Sequence, residues 1–120
     1  MSWTVRQLLE LLSFPVAIAA GQILFKRAAS QVADVSGGSW LFDLARLPTM
    51  WIAIALYAGA TVLWVRILTT VPLSRAYPFV ALAFVLVPAA GYVFFQESIT
   101  MRYALGTALI VIGVAVAARA

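Results

Sequence analysis

Four apolar stretches of about twenty residues each fill most of a chain of 120 residues, and no other feature restricts its fold so tightly. They cover residues 8–28, 49–70, 75–95 and 101–118. The hydrocarbon core of a bilayer is about 30 Å thick and takes ~20 residues of helix to cross. A helix satisfies its own backbone hydrogen bonds, so it can stand in lipid where irregular chain cannot. The predicted fold is therefore all-α integral membrane, with four transmembrane helices forming one domain over 1–120 and no soluble part.

Composition closes off other classes. Hydrophobic residues make up 65% and charged residues 10%, against roughly 25% charged in ordinary soluble domains. A soluble chain this short could not hide so much apolar surface, because small domains bury a low fraction of their chain. The isoelectric point near 10.1 raises the question of nucleic acid. The eight basic residues are spread between the spans and form no basic stripe, so no nucleic-acid partner is expected. With no cysteine and no histidine, disulfides, thiolate metal sites, zinc hydrolysis and histidine-based acid–base chemistry have nothing to work with. The sequence holds no catalytic constellation, so neither an enzyme nor a bound cofactor or metal is expected. The first stretch is longer than a signal-peptide core of roughly 7–15 residues. It runs into Lys26 and Arg27 without a convincing cleavage site, and is read as a retained helix.

Four spans place the N-terminus, the loop near Val71–Arg75 and the C-terminus on one face of the membrane, which we call face A. Face A collects Arg6, Arg66, Arg75 and Arg119; the opposite face B collects Lys26, Arg27, Arg46 and Arg102. This even split carries no positive-inside bias, the feature that normally sets orientation. Either details such as the position of Arg6 decide, or copies insert both ways and pair as an antiparallel dimer.

The first connection is the longest. Ser36, Gly37, Gly38 and Ser39 mark a turn, and Trp40, Leu41, Leu44 and Leu47 then recur at helical spacing with Asp43 and Arg46 off the stripe. Ser39 is the expected N-cap of a short helix over 40–47 lying in the interface. The connections Thr69–Ser74 and Gln96–Thr100 are tight, which makes the last three spans antiparallel neighbours.

Polar residues inside spans are costly and attract functional suspicion, although those near helix ends can snorkel. Pro15, Ala19, Gln22 and Lys26 fall on one face of the first helix. Gln22 can hydrogen-bond across a helix interface, and Lys26 at the B end can reach headgroups. Glu10 follows Arg6 by one turn, the spacing of a helical ion pair. It lies too close to the interface to serve as the mid-membrane carboxylate of a proton-coupled exporter. Asp34 and Asp43 fall in the first loop and Glu97 at the end of the third helix, so no acid occupies the middle of any span. Arg66 sits inside the second apolar run. With Arg75 across the tight turn it offers two guanidinium groups that fork onto phosphate oxygens; the plainer alternatives are snorkelling or a pair with Glu10.

The third helix carries Tyr77, Ala81, Phe84, Pro88 and Tyr92 along one stripe. Pro88 removes a backbone donor and is expected to bend it, giving either an aromatic-lined cavity for a greasy substrate or simple packing. Gly106 and Gly113 with Thr107 give the fourth helix a smooth ridge suited to helix–helix contact, dimerisation included.

Taken in order, three segments carry a resemblance: Ala20-Gly21-Gln22 with Lys26, Val71-Pro72-Leu73-Ser74-Arg75-Ala76-Tyr77-Pro78, and Glu97 followed by Gly106-Thr107-Ala108-Leu109-Ile110-Val111-Ile112-Gly113-Val114. Each is weak alone. Their order and distances resemble the four-helix members of the drug/metabolite transporter superfamily. Within it the small multidrug resistance exporters carry an essential glutamate in the first helix, and registering on Gly21 and Lys26 puts its place at the apolar Ile18. The paired small subunits that flip aminoarabinose-phosphoundecaprenol look closer, sharing the Ala-Gly-Gln…Lys pattern and the Ala-Tyr-Pro start of the third helix. The resemblance makes Gln22, Lys26, Tyr77, Pro78 and Glu97 candidate functional positions. Arg66 and Arg75 depart from that pattern, where apolar residues are usual, and point to a different anionic headgroup.

The resulting expectation is a multi-pass protein of the bacterial inner membrane that moves a polyprenyl-phosphate-linked sugar or similar anionic lipid between leaflets. Its substrate-binding residues would be Gln22, Lys26, Arg66, Arg75, Tyr77, Pro78 and Glu97. Alternating access uses two repeats about a midplane site, and one four-helix chain supplies one, so a homodimer or a heterodimer with a related small subunit is expected. The competing functions are export of hydrophobic cations or small metabolites, and a non-transporting subunit that stabilises a glycosyltransferase.

Overall fold

The computed structural model describes residues 3–34 and 38–119, which form six helices and no strand. Ser36 and Gly37 of the expected turn lie outside the described residues. Helix α1 covers Val5–Asp34, α2 Trp40–Ala45, α3 Pro48–Leu68, α4 Leu73–Val80, α5 Ala83–Phe95 and α6 Met101–Ala118. Four spans are long and apolar enough to cross a membrane: Val5–Ala33, Pro48–Leu68, Leu73–Phe95 (α4 and α5 together) and Met101–Ala118.

Local chemistry sets the ends of these helices. Thr4 and Gln7 form a reciprocal capping box at the start of α1. The Gln7 amide N–H donates to Thr4 Oγ1 and the Thr4 N–H donates to Gln7 Oε1, both at 3.1 Å, satisfying two donors that the first turn leaves orphaned. The helix then continues to Asp34, which closes it instead of lying in the loop. Its last turns carry packing, since Ala28 and Val32 are buried. Ser39 stands at the N-cap of α2 but caps it with no side-chain bond. Instead, the Trp51 indole of α3 donates to the Ala45 carbonyl at 2.7 Å and ties the short helix down. Pro48 opens α3 at a position where its missing N–H costs nothing.

The third span is interrupted, but not at Pro88. Between α4 and α5 the backbone switches to i→i−3 bonding: Ala81 and Leu82 donate to Pro78 and Phe79, and Phe84 and Val85 donate to Ala81 and Leu82. The tighter turn begins one turn after Pro78, whose ring has already removed a donor from α4. It is centred on Ala81 and Leu82, within the proline-flanked stretch between Pro78 and Pro88.

Packing is uneven along the bundle. Near face A, Leu11, Ile67, Val71 and Ala76 are buried together, with Phe14, Trp64 and Phe79 against them; Phe14 stacks on Trp64 at 4.8 Å. Toward face B the α1–α3 seam is made of small residues, with Ala28, Ala53 and Ala60 buried. Gly21 is needed there, because a Cβ on it would collide with the Tyr57 ring of α3. None of the α6 residues is buried. The helix leans on α4 and α5, and side chains added at Gly106 or Gly113 would meet open space. Among the described residues, the two glycines of the expected ridge make no close helix contact.

Candidate functional site: a polar crevice between α1 and α5

One face of α1 and one face of α5 bound a crevice of about 200 Å³. Helix α1 contributes Ala19, Gln22, Ile23 and Lys26, which helical geometry stacks on one side, and α5 contributes Val87, Ala90, Gly91 and Phe95. At the B end the wall is closed by Glu97, whose carboxylate Oε2 lies 3.7 Å from Lys26 Nζ.

The position of Glu97 depends on an unusual turn. Gln96 ends α5 with φ 55° and ψ 34°, the left-handed region that L residues seldom occupy. The N–H groups of Gln96 and Glu97 both donate to the Gly91 carbonyl. Gly91 leaves the space that the carboxylate occupies, since a Cβ there would meet Glu97 Oε1, the movable end of a flexible side chain. The chain thus folds Glu97 back against α5, opposite the lysine of α1. Deeper in the crevice Gln22 is held by a hydrogen bond from its Nε2 to the Tyr57 hydroxyl at 2.5 Å. The Tyr57 ring in turn packs on Phe25, with centroids 5.0 Å apart.

A second cavity, of about 300 Å³, shares Gln22 and Val87 with the first and runs toward the membrane centre. Its lining of Ile18, Val80, Ala83, Phe84 and Pro88 is apolar, with Tyr103 of α6 at its edge. Of the stripe expected on the third helix, Phe84 and Pro88 are the members that line it. The apolar cavity thus adjoins the polar crevice across Gln22 and Val87.

At face A the charges are arranged differently. Glu10 is shared by two arginines: its Oε1 accepts from Arg6 Nε at 3.1 Å, and its Oε2 lies 3.4 Å from Arg66 Nε. The plainer alternative for Arg66, a pair with Glu10, is present. One carboxylate between two guanidinium groups leaves the cluster net positive. Arg75 lies over the Trp3 ring at 4.8 Å, an attractive cation–π geometry. Tyr77 meets Trp64 edge-on at 6.1 Å. Pro78 lines an apolar groove of about 330 Å³ between α1, α4 and α6.

The seven residues singled out from the sequence thus fall into two groups. Gln22, Lys26 and Glu97 meet in the crevice; Arg66, Arg75, Tyr77 and Pro78 belong to the opposite end of the bundle. Tyr57 and Gly91 were missed. The need of a membrane-buried glutamine for a partner would have pointed to a tyrosine on a neighbouring span, but no sequence signal singles out Gly91.

Four helices long and apolar enough to cross a membrane, with a polar crevice beside an apolar cavity, define a multi-pass membrane protein. Comparison with known proteins agrees. A protein of Hamiltonella defensa named a probable 4-amino-4-deoxy-L-arabinose-phosphoundecaprenol flippase subunit ArnE is 32% identical over 95 residues, covering 77% of this chain and 86% of the relative. Proteins given the same name in Erwinia tasmaniensis and Yersinia pseudotuberculosis are 37% identical over 99 residues and 36% over 111. They cover 81% and 88% of this chain and 82% and 90% of their own lengths. No family model and no solved structure matches the chain. The chain belongs to the family of these flippase subunits, the one its Ala-Gly-Gln…Lys and Ala-Tyr-Pro segments resemble.

Proposed function

We propose that the chain is one subunit of a bacterial inner-membrane flippase that carries a polyprenyl-phosphate-linked sugar from one leaflet to the other. The observation that carries this is the adjacency of the Gln22–Lys26–Glu97 crevice and the apolar cavity, which share Gln22 and Val87 as wall residues. A lipid-linked sugar has the same two-part chemistry, a polar charged head on a branched hydrocarbon tail. The relatives' names supply the substrate class: an undecaprenyl phosphate bearing 4-amino-4-deoxy-L-arabinose.

Lys26 would hold the phosphate at the B end. The net positive Arg6–Glu10–Arg66 cluster, with Arg75 nearby, would receive it at the A end. Between the two, the described residues offer Gln22, Tyr57 and Tyr103 but no charged side chain. A charged headgroup crossing that distance needs polar groups from a second subunit, which agrees with alternating access by two repeats. That partner is a second copy or a related small subunit.

Export of hydrophobic cations in exchange for protons is less well supported. Such exchange needs a carboxylate at mid-membrane, and Ile18, which stands in that place, lines the apolar cavity.

The test is transfer of the lipid-linked amino sugar across proteoliposomes containing the chain and its partner. Lys26→Gln, and Arg66→Gln combined with Arg75→Gln, should each abolish transfer. Transfer retained by the double arginine variant would remove those two residues from the mechanism. Transport of a hydrophobic cation in place of the lipid would sink the proposal.

A further inference from the structure

The Lys26–Glu97 contact is weak as a structural element. It is a single 3.7 Å approach between side chains that are 51% and 53% exposed, and exposed pairs of this kind add little stability. Yet its acid is placed by special backbone: a non-glycine residue in the left-handed region at Gln96, two amides gathered on the Gly91 carbonyl, and a glycine whose missing side chain leaves the space the carboxylate occupies. A pair that contributes little to the fold, held in a crevice by such means, has the character of a binding site.

We propose that Lys26 and Glu97 together recognise a zwitterionic headgroup, in which an anionic phosphate and a cationic amine are separated by a sugar ring. This rests on the flippase reading above and assigns the specificity within it. In the empty state the two side chains neutralise each other. When the lipid enters, the Lys26 ammonium takes the phosphate and the Glu97 carboxylate takes the sugar's ammonium. One ion contact is exchanged for two, and no charge is left unpaired. The long, half-exposed side chains have the freedom to part around the ring. Gln22, anchored on Tyr57, offers an amide that both donates and accepts to the sugar hydroxyls. The first isoprene units lie along Ile18, Ala83, Phe84 and Val87.

The same arrangement rejects the wrong lipid. A headgroup with phosphate but no amine would draw Lys26 away and leave Glu97 in the crevice without a cation. Specificity of this kind comes from the unpaired charge left by the competitor as much as from the contact made by the substrate.

The experiment is native mass spectrometry of the chain with its partner subunit in lipid nanodiscs, titrated with two probes. One is undecaprenyl phosphate bearing 4-amino-4-deoxy-L-arabinose; the other is the same lipid with its amine acetylated. The unaltered protein should bind the free amine about five- to tenfold more tightly. Glu97→Gln should bring the two lipids to the same affinity, because the contact to the amine is lost and the unpaired carboxylate that penalises the acetylated lipid is gone. Lys26→Gln should weaken both and preserve their ratio. Equal binding of the two probes by the unaltered protein overturns recognition of the amine while leaving the flippase reading standing, because lipid is still bound. Binding of neither probe overturns both. A preference that survives in Glu97→Gln assigns the amine to another partner and overturns the role of Glu97. The comparison of probes on the unaltered chain does not depend on any variant folding.

Discussion

The two ends of the bundle solve the problem of charge in a membrane in opposite ways. At face A, Glu10 is paired within α1 by Arg6 and tied to α3 by Arg66, beside a core that includes Leu11, Ile67 and Val71, flanked by Phe14 and Trp64. Only 19% of the Glu10 side chain is exposed. At face B the acid and its cation are both half-exposed, one contact joins them, and the crevice around them mixes Ala19, Ala90 and Gly91 with Ile23, Val87 and Phe95. The first arrangement is charge-paired and packed, so its charges act as part of the scaffold. The second is open and under-committed, with room left beside it. Membrane helices associate by packing and interhelical polar contacts rather than by a hydrophobic force, so the dense end is where stability should concentrate and the open end where it is least needed.

That contrast can be broken by experiment, and the largest effect should come from the dense end. Leu11→Ala deletes a side chain that is 1% exposed and should lower unfolding stability by about 3 kcal/mol, read from denaturant or SDS titration in mixed micelles. A loss close to zero would show that face A is not the anchor. Next comes Gly21→Ala. The new methyl meets the rigid Tyr57 ring and separates Tyr57 from Gln22, for a loss of about 2 kcal/mol by the same assay. Glu10→Gln keeps the shape but leaves Arg6 and Arg66 facing a neutral amide. Because both arginines can turn to headgroups and water, the expected loss is only about 1 kcal/mol.

The smallest stability effect belongs to Gly91→Ala, and it is the sharpest test. Alanine raises helix propensity, while its methyl pushes aside the flexible end of Glu97. The two effects should offset to within about 0.5 kcal/mol, while lipid transfer falls. Destabilisation as large as that of Leu11→Ala would make the B-end turn structural and dissolve the distinction between the two ends.

Much of this was legible in the residues. Four apolar runs separated by short polar turns leave few alternatives to four membrane-spanning helices, because bilayer thickness converts directly into residue number. The stripe Pro15, Ala19, Gln22, Lys26 also survives: Pro15 and Ala19 are buried, and the last three members line the crevice. Helical periodicity is local, so the chain alone displays it. The grouping of the candidate residues was less legible. Arg66 pairs with Glu10, 56 positions away in sequence, whereas Lys26 is matched with Glu97. A charge in a span announces that it needs a partner without saying which. The third span also tightens at Ala81 and Leu82, one turn after Pro78, a break that the bend expected at Pro88 did not anticipate.

Membership of the bilayer, the number of crossings, the polar face of α1 and the flippase-subunit family were therefore properties of the sequence itself, since each follows from composition or from short-range order that no fold can alter. Only the tertiary structure decided that Glu97 folds back over Gly91 to meet Lys26, that Tyr57 holds Gln22, and that the crevice adjoins an apolar cavity. Those facts depend on which helix faces come together, and contacts between residues far apart in the chain arise from packing rather than from any pattern within one helix.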